Sequence, residues 1–173
     1  FPVIFAEKTI NNIKIEGTST ESGNVKLTYL DAGIVINAVP DKCEFKLECG
    51  CEECLKHTIN TLDRFYRTLH IGYDVKRDGL TVSYLVHGKA AHGSIPHTGI
   101  NAASYSIAGL NEVVDNSFIK FYSECIGLFV HGEKLGCYKE DEYGPVAVNV
   151  GLVHYENNHF RIMINSRLPF NTN

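Results

Sequence analysis

Residues 146–168 read VAVNVGLVHYENNHFRIMINSRL, and this stretch decides the class of fold. Two runs rich in valine, isoleucine and other apolar residues flank Asn157-Asn158, a pair that favours a tight turn. Runs of this length and composition are typical of β-strands. The stretch therefore predicts a β-hairpin that turns at Asn157-Asn158.

Further strands are predicted upstream of this hairpin. In VKLTYL (25–30), Val25, Leu27 and Tyr29 alternate with polar residues and are expected to share one face. Pro40-Asp41 and Asp78-Gly79 are turn signals between other strand-like runs. Those runs are IVINAV (34–39), CEFKLEC (43–49), YDVKRDG (73–79) and LTVSYLVHG (80–88).

Three helices are predicted between the strands. The first spans about 52–70, where apolar residues recur at helical spacing: Leu55, Ile59, Leu62, Tyr66 and Leu69. A second apolar stripe runs from Ile100 to Val114, and a shorter helix is expected from Ser117, as its N-cap, to Gly127. This order of elements predicts an α+β fold with helices packed on an antiparallel sheet.

Size and composition limit the classes of function. The 173 residues fit a single domain, with two lobes over about 1–75 and 76–173 as the alternative. The formal net charge is −4 and the basic residues are scattered, which argues against binding to nucleic acid. No apolar run approaches the ~20 residues needed to cross a bilayer, and no signal peptide opens the chain. Since the chain begins without Met, in strand-like sequence, we expect it to be part of a longer protein.

The six cysteines indicate two different environments. Three occur singly, as free thiols do in a reducing cytoplasm: Cys43, Cys125 and Cys137. The other three, Cys49, Cys51 and Cys54, form CGCEEC at the predicted start of the first helix. One C-x-x-C without a second ligand pair is a weak metal signal. A zinc-thiolate site, a redox role and a thiolate favoured by the helix N-terminus all stay open for this cluster.

No self-contained catalytic motif is present: there is no G-x-S-x-G, no H-E-x-x-H and no phosphate-binding glycine loop. The spacing of His87, His92 and His97 suits neither one helix face nor one strand face, so no metal site is expected there. Polar side chains at strand ends are better candidates, namely Asn37, His92 and Arg167. Each alone is ordinary. Together they would clamp a small carboxylate-bearing ligand, without cleaving it.

Several stretches resemble one peptidase family. GKAAHGSIPHTGINAA (88–103) resembles the G-K-x-A-H-(G/A)-S-x-P-x-x-G-x-N-A signature in the lid, or dimerisation, domain of the di-zinc aminoacylase/carboxypeptidase-like peptidases. That family includes acetylornithine deacetylase and succinyl-diaminopimelate desuccinylase. AGIVINAVPDKCEFKL (32–47) and RIMINSRLPF (161–170) are similar to two further strand motifs of its lid. Residues 1–8 and 132–157 are similar to the bacterial dipeptidase V branch in particular.

The resemblance implies the lid domain, with ferredoxin-like lobes, of a cytoplasmic zinc-dependent dipeptidase. In such enzymes a separate catalytic domain of the same chain holds two zinc ions, whereas the lid supplies no metal ligand. By motif, His92 would contact the oxyanion at the scissile carbonyl. Asn37 would support the same region, and Arg167 would bind the carboxylate of the dipeptide substrate. The segment alone is expected to be inactive.

The chain departs from the family pattern in three ways. The metal-binding residues of the family are absent from it, so this segment is expected to need no cofactor itself. Leu168-Pro169-Phe170 replaces the usual Tyr-Pro, and Asn37-Ala38-Val39-Pro40 replaces N-M-V-P. Family lids also continue past the arginine, so a lobe that ends at Asn173 would expose a sheet edge, and a homodimer of the segment is an alternative. The length suits a two-lobed lid in which His92 acts within its own chain. The rival interpretation is a free-standing α+β module that binds a small ligand or a partner without catalysis.

Overall fold

The computed structural model of the chain describes residues 8–169. The expectations on residues 1–7 and on Phe170 and Asn173 lie outside this range. Within it, the main element is a sheet of seven strands in the order β1-β11-β10-β3-β4-β6-β5. Each neighbouring pair in that sheet is antiparallel. The predicted α+β class is confirmed.

The strands of the described residues follow in chain order. They are β1 (Thr9–Thr18), β2 (Glu21–Ser22), β3 (Val25–Ala32), β4 (Lys42–Cys49), β5 (Gly72–Asp78), β6 (Thr81–His87), β7 (Asp115–Asn116), β8 (Glu140–Asp141), β9 (Gly144–Pro145), β10 (Ala147–Glu156) and β11 (His159–Leu168). The helices are α1 (Glu52–Thr68), α2 (Ala102–Leu110) and α3 (Ser117–Cys125), with a short 3₁₀ turn over Pro96–Thr98. The two-residue strands pair as β2-β7 and β8-β9 outside the main sheet.

The predicted hairpin is confirmed as β10 and β11. Its turn is Asn157 and Asn158, whose φ angles of 51° and 62° place both in the left-handed region that asparagine tolerates. Two consecutive positive φ angles give the turn a twist that matches the right-handed twist of the strands. The hairpin lies between β1 and β3, so its two strands are the second and third from the β1 edge of the sheet.

The helices cover one face of the sheet and enclose the core. Along β4, Phe45 and Leu47 are fully buried whereas Glu44 and Glu48 are exposed, which is the alternation of a sheet with one covered face. Helix α1 packs its Leu55, Leu62 and Tyr66 stripe against that face. Most of α2 is buried, and it packs against α1, α3 and the sheet.

Three local expectations about these elements were wrong, and one strand was missed. Residues 34–39 form a turn and loop rather than a strand. β1 was not expected, because its alternation of isoleucine with polar residues lies on an exposed edge strand. The second helix is α2, shorter than the predicted 100–114. In β3, a bulge between Leu27 and Tyr29 interrupts the alternation, so Tyr29 does not share the face of Leu27 as predicted. It pairs with Lys46 of β4, whose Nζ lies 5.2 Å from the centre of the Tyr29 ring.

The division into two lobes, ferredoxin-like or otherwise, stays a prediction. Residue 75 lies within β5, and strands from both sides of it are neighbours in the main sheet, as β3 with β10 and β4 with β6. In residues 8–169, no helix combines the length and the apolar character that a bilayer crossing requires.

The N-cap of α3 is Asn116 rather than the predicted Ser117. The Asn116 side chain is fully buried, and its Oδ1 accepts hydrogen bonds from the backbone N–H groups of Phe118 and Ile119 at 3.0 and 3.3 Å. Its Nδ2 donates to the Tyr155 hydroxyl at 2.9 Å. At the other end, the helix stops at Cys125 with Ile126 as its C-cap, one residue before the predicted Gly127. Gly127 follows with φ of 63°, and its N–H donates to the Tyr122 carbonyl.

We therefore expect Asn116→Ala to lower the free energy of unfolding by about 2–4 kcal/mol. The substitution removes the helix cap and takes a hydrogen bond away from the buried Tyr155 hydroxyl. The measurement is urea denaturation of the 173-residue chain. Ser117→Ala is the matched control. The Ser117 hydroxyl is exposed and accepts from the Thr20 N–H, so its loss should cost less than about 1 kcal/mol. Equal costs for the two variants would contradict the assignment of the cap.

Candidate functional site

Two loops and one strand end meet at the same end of the sheet. The asparagine loop (residues 33–41) joins β3 to β4, and the histidine loop (residues 88–101) joins β6 to α2. Strand β11 ends at Leu168, next to the start of β10. Because neighbouring strands are antiparallel, the end of one strand lies next to the start of the following one, and these chain positions lie at one end of the sheet. This is where all three predicted site residues lie.

Backbone hydrogen bonds join the two loops. The Gly93 N–H donates to the Asn37 carbonyl at 2.7 Å, and the Val39 N–H donates to the Ala91 carbonyl at 2.9 Å. Ala38 and His92 form an isolated antiparallel bridge between them. The structure thus brings Asn37 and His92 next to each other across a short two-chain ladder.

Three glycines permit this close packing. A Cβ on Gly33, whose φ is 87°, would lie 1.9 Å from the Gly151 carbonyl oxygen. One on Gly151, at a bulge in β10, would lie 2.1 Å from the Ile36 oxygen. One on Gly93 would lie 2.9 Å from the Asn37 oxygen. Side chains at these positions would push the asparagine loop off β10 or the histidine loop off the asparagine loop.

A buried asparagine holds the asparagine loop on the sheet. Asn149, on β10, is 1% exposed, and its Nδ2 donates to the carbonyl oxygens of Ile36 and Ala38 at 2.9 and 3.0 Å. The sequence analysis did not identify Asn149 as a site residue. Its signal was a single amide in the apolar run VAVNV, since a polar side chain within a buried strand needs hydrogen-bond partners.

His92 is exposed, and its ring is oriented by Ser94. The Ser94 backbone N–H donates to His92 Nδ1 at 3.3 Å, and the Ser94 hydroxyl lies 2.7 Å from the same nitrogen. Since a backbone N–H can only donate, Nδ1 acts as an acceptor and the proton of the neutral ring lies on Nε2. Nε2–H is then a donor available to a ligand. Ser94 was quoted within the loop motif but was given no role of its own.

Arg167 lies on β11 and is linked to the histidine loop through Asn165. Arg167 is 8% exposed, and its Nε donates to Asn165 Oδ1 at 3.2 Å. That same oxygen lies 3.2 Å from the position that a Cβ on Gly93 would occupy. Asn165 Nδ2 in turn donates to Asn12 Oδ1 on β1 at 2.8 Å. A cationic fork of this kind is suited to a carboxylate.

Recesses in the described surface do not coincide with these side chains. A recess of about 180 Å³ adjoins the two loops and is lined by residues that include Val39, His97, Asn101 and Asn149. Two larger ones, of about 540 Å³ each, lie at the opposite end of the sheet around the Asn157-Asn158 turn. Both are open depressions that none of the three predicted site residues lines, so we place the site at the two loops.

Within residues 8–169, no group of three or more histidine, cysteine, aspartate or glutamate side chains is placed to hold a metal ion. The cysteine cluster does not form one. Cys49 faces the core at 2% exposed, whereas Cys51 is exposed on the surface. Zinc-thiolate coordination by all three would require Cys49 to leave the core.

Comparison with known proteins finds relatives that share one name. No protein-family model matches the chain. Proteins named "Putative dipeptidase" from Staphylococcus aureus strains bovine RF122 / ET3-1 and USA300 are each 30% identical to it, over 98% of this chain and 38% of their own length. That of strain MRSA252 is 29% identical over the same shares. The chain is similar to a segment of these dipeptidase-named proteins. It spans 38% of the length of the relatives it matches.

The packing of the two loops gives a testable expectation for Gly93→Ala. Gly93 is buried, and the added methyl would meet the Asn37 carbonyl oxygen at 2.9 Å and Asn165 Oδ1 at 3.2 Å. We expect this overpacking to lower the free energy of unfolding by about 1–3 kcal/mol. Amide hydrogen exchange at Gly93 and Val39 should become faster, because their inter-loop bonds open.

The matched control is Gly72→Ala on β5. Its methyl would lie 3.6 Å from the nearest atom, His87 Cβ, and no positive φ is lost. Its effect should stay within about 1 kcal/mol. A Gly93 variant as stable as the Gly72 variant would show that the loops do not pack as described.

Proposed function

We propose that this chain is the lid region of a longer, cytoplasmic, zinc-dependent dipeptidase of the di-zinc aminoacylase/carboxypeptidase-like family. One observation carries the proposal. The histidine loop, the asparagine loop and the Arg167 strand end lie together in a chain that is similar to part of dipeptidase-named proteins. Histidine, asparagine and arginine side chains can each donate hydrogen bonds to negatively charged oxygen, which is what a lid that closes over a dipeptide would need.

His92 would donate a hydrogen bond from Nε2 to the oxygen of the scissile carbonyl. As water adds to that carbonyl, negative charge collects on the oxygen, and a donor fixed beforehand stabilises the transition state more than the ground state. Ser94 supports this role because it occupies Nδ1 and so directs the proton to Nε2. The exposure of His92 lets the ring reach a group outside the lid.

Arg167 would bind the free carboxylate of the dipeptide. Its guanidinium is held by Asn165 at Nε, and guanidinium pairs with a carboxylate through two parallel hydrogen bonds. Asn37, next to His92 across the loop ladder, would support the substrate backbone or the same oxyanion. The distance between His92, which would bind the oxyanion, and Arg167, which would bind the carboxylate, would then select substrates as short as a dipeptide.

Zinc would be held by other parts of the longer protein, since residues 8–169 offer no group of three ligands. When bound there, it would supply an activated water. The lid would close over its own catalytic domain and use His92 in cis, with a homodimer as the alternative arrangement. All six cysteines are free, which suits a reducing cytoplasm.

The role of His92 is tested by His92→Ala in the longer protein. Loss of one oxyanion donor should lower kcat about 10²–10³-fold. Zinc content, measured by mass spectrometry of the metal, should stay unchanged, because His92 is not a ligand. His97→Ala is the matched control: it removes another exposed histidine of the same loop and should leave kcat within about threefold, since it alters no proposed transition-state contact. Unchanged turnover in the His92 variant would instead favour a lid that only binds, or a free-standing binding module.

The role of Arg167 is tested by comparing a dipeptide with its C-terminal amide. Arg167→Lys keeps the charge but loses the planar fork, so we expect KM for the dipeptide to rise about tenfold to a hundredfold, as loss of a hydrogen bond to a charged group implies. KM for the amide should barely change. Arg161→Lys, which alters an exposed pair with Glu16 at the far end of β11, is the control. An equal rise in KM for both substrates would contradict a contact with the carboxylate.

A further inference from the structure

Two cysteines meet at the N-terminus of α1. Cys51 is the N-cap of the helix, with extended backbone angles of −159° and 165°, and its Sγ accepts a hydrogen bond from the Cys54 N–H at 3.3 Å. The sulfur atoms of Cys51 and Cys54 lie 2.7 Å apart. Since a disulfide joins sulfur atoms about 2.05 Å apart, a movement of less than ~1 Å separates the two thiols from a bond.

The third cysteine of the cluster cannot take part. Cys49 lies at the end of β4 with its side chain in the core, and burial raises the pKa of its thiol. Cys43, deeper in the same strand, has its pKa raised to about 12 by burial. Cys51 is exposed and Cys54 half-buried, so a reagent in solution reaches only this pair within the cluster. The cluster therefore contains one accessible dithiol and one inert thiol.

The two accessible thiols differ in acidity. The hydrogen bonds from the Cys54 thiol and backbone N–H lower the pKa of Cys51, although desolvation and the negative charge of Glu53 work against them. The hydrogen bond to Cys51 raises the pKa of Cys54. The thiolate is the nucleophile in thiol-disulfide exchange. Cys51 is thus the attacking group, and Cys54 keeps its proton until a partner has reacted.

We propose that Cys51 and Cys54 form a redox site that exchanges with the disulfides of small thiols. In the first step the Cys51 thiolate attacks one sulfur of the small disulfide; a mixed disulfide forms at Cys51 and one small thiolate leaves. In the second step Cys54 loses its proton to solvent and attacks Cys51 Sγ. The Cys51–Cys54 disulfide forms and the second small thiolate leaves. The protein loses two electrons and two protons, and the small disulfide is reduced to two thiols.

The surroundings of the pair are compatible with both the dithiol and the disulfide. Glu52, between the two cysteines in the chain, receives two hydrogen bonds from Arg77 of β5, at 2.9 and 2.6 Å, so the first turn of α1 is tied to the β5-β6 hairpin whether or not the sulfurs are joined. The bond would close only the first helical turn. The proposal does not depend on the dipeptidase function, because the pair lies at the end of the sheet opposite the two loops.

The test uses the reduced 173-residue chain and glutathione disulfide as the probe. After incubation, free thiols are blocked with N-ethylmaleimide and each cysteine is assigned by mass spectrometry of proteolytic peptides. We expect the wild-type chain to form the Cys51–Cys54 disulfide. Cys54→Ser should accumulate one glutathione on Cys51, and in Cys51→Ser the reaction at Cys54 should be at least about tenfold slower, because its thiolate fraction is smaller. Cys137→Ser removes an exposed cysteine outside the pair and should behave as wild type.

Two results would overturn the proposal. One is a wild-type chain that carries glutathione on Cys51 or Cys54 without forming the internal bond. The other is a Cys51→Ser variant that reacts as fast as Cys54→Ser. Buried Cys43 and Cys49 report on folding, since only unfolded chains would expose them to the blocking reagent. If a variant fails this check, the wild-type product alone decides.

Discussion

The candidate site depends on one buried carboxamide. Asn149 sits in an otherwise apolar part of β10, and both loop carbonyls that it binds belong to the asparagine loop. A buried amide without partners would cost about 1–3 kcal/mol, so the folded sheet favours the loop in this one position. The histidine loop then bonds to the asparagine loop through the Gly93 and Val39 N–H groups. The Asn149 side chain on β10 therefore determines, through the asparagine loop, where His92 lies.

The same arrangement requires backbone to touch backbone. The contacts at Gly33, Gly151 and Gly93 leave no room for a Cβ. Through them the asparagine loop packs on β10, and the histidine loop packs on the asparagine loop. Such stacking gives a loop the rigidity of the sheet beneath it. Rigid placement matters for a donor to an oxyanion, because a donor that must reorganise during the reaction stabilises the transition state less. The backbone of His92 is thereby tied to the sheet through the asparagine loop, and Ser94 orients the exposed ring.

Much of the fold could be predicted from local pattern, but less of the site. The β10-β11 hairpin, α1 and the β5-β6 hairpin follow from periodicity and turn residues that act over a few positions. The asparagine loop was mistaken for a strand, because IVINAV has strand composition but its partner is a buried amide more than a hundred residues away. Asn37, His92 and Arg167 were chosen as polar residues at strand ends, and the topology places them at one end. Asn149 had a signal, as the one amide in VAVNV, but its partners and the roles of Asn165 and Ser94 could not be inferred, since those contacts exist only after the loops pack.

The two proposed sites of this chain lie at opposite ends of β4. This strand begins at the asparagine loop and ends at Cys49, just before the Cys51–Cys54 pair. Eight residues of strand span about 26 Å. No charge at the thiols acts directly on His92 over that distance, because salt screens exposed charges beyond about 8–10 Å. A Cys51–Cys54 bond would close only the first turn of α1, and that turn takes no part in the hydrogen bonds that join the two loops to each other and to β10. Oxidation of the pair would therefore act on the stability of α1 and not on the bonds that place the loops.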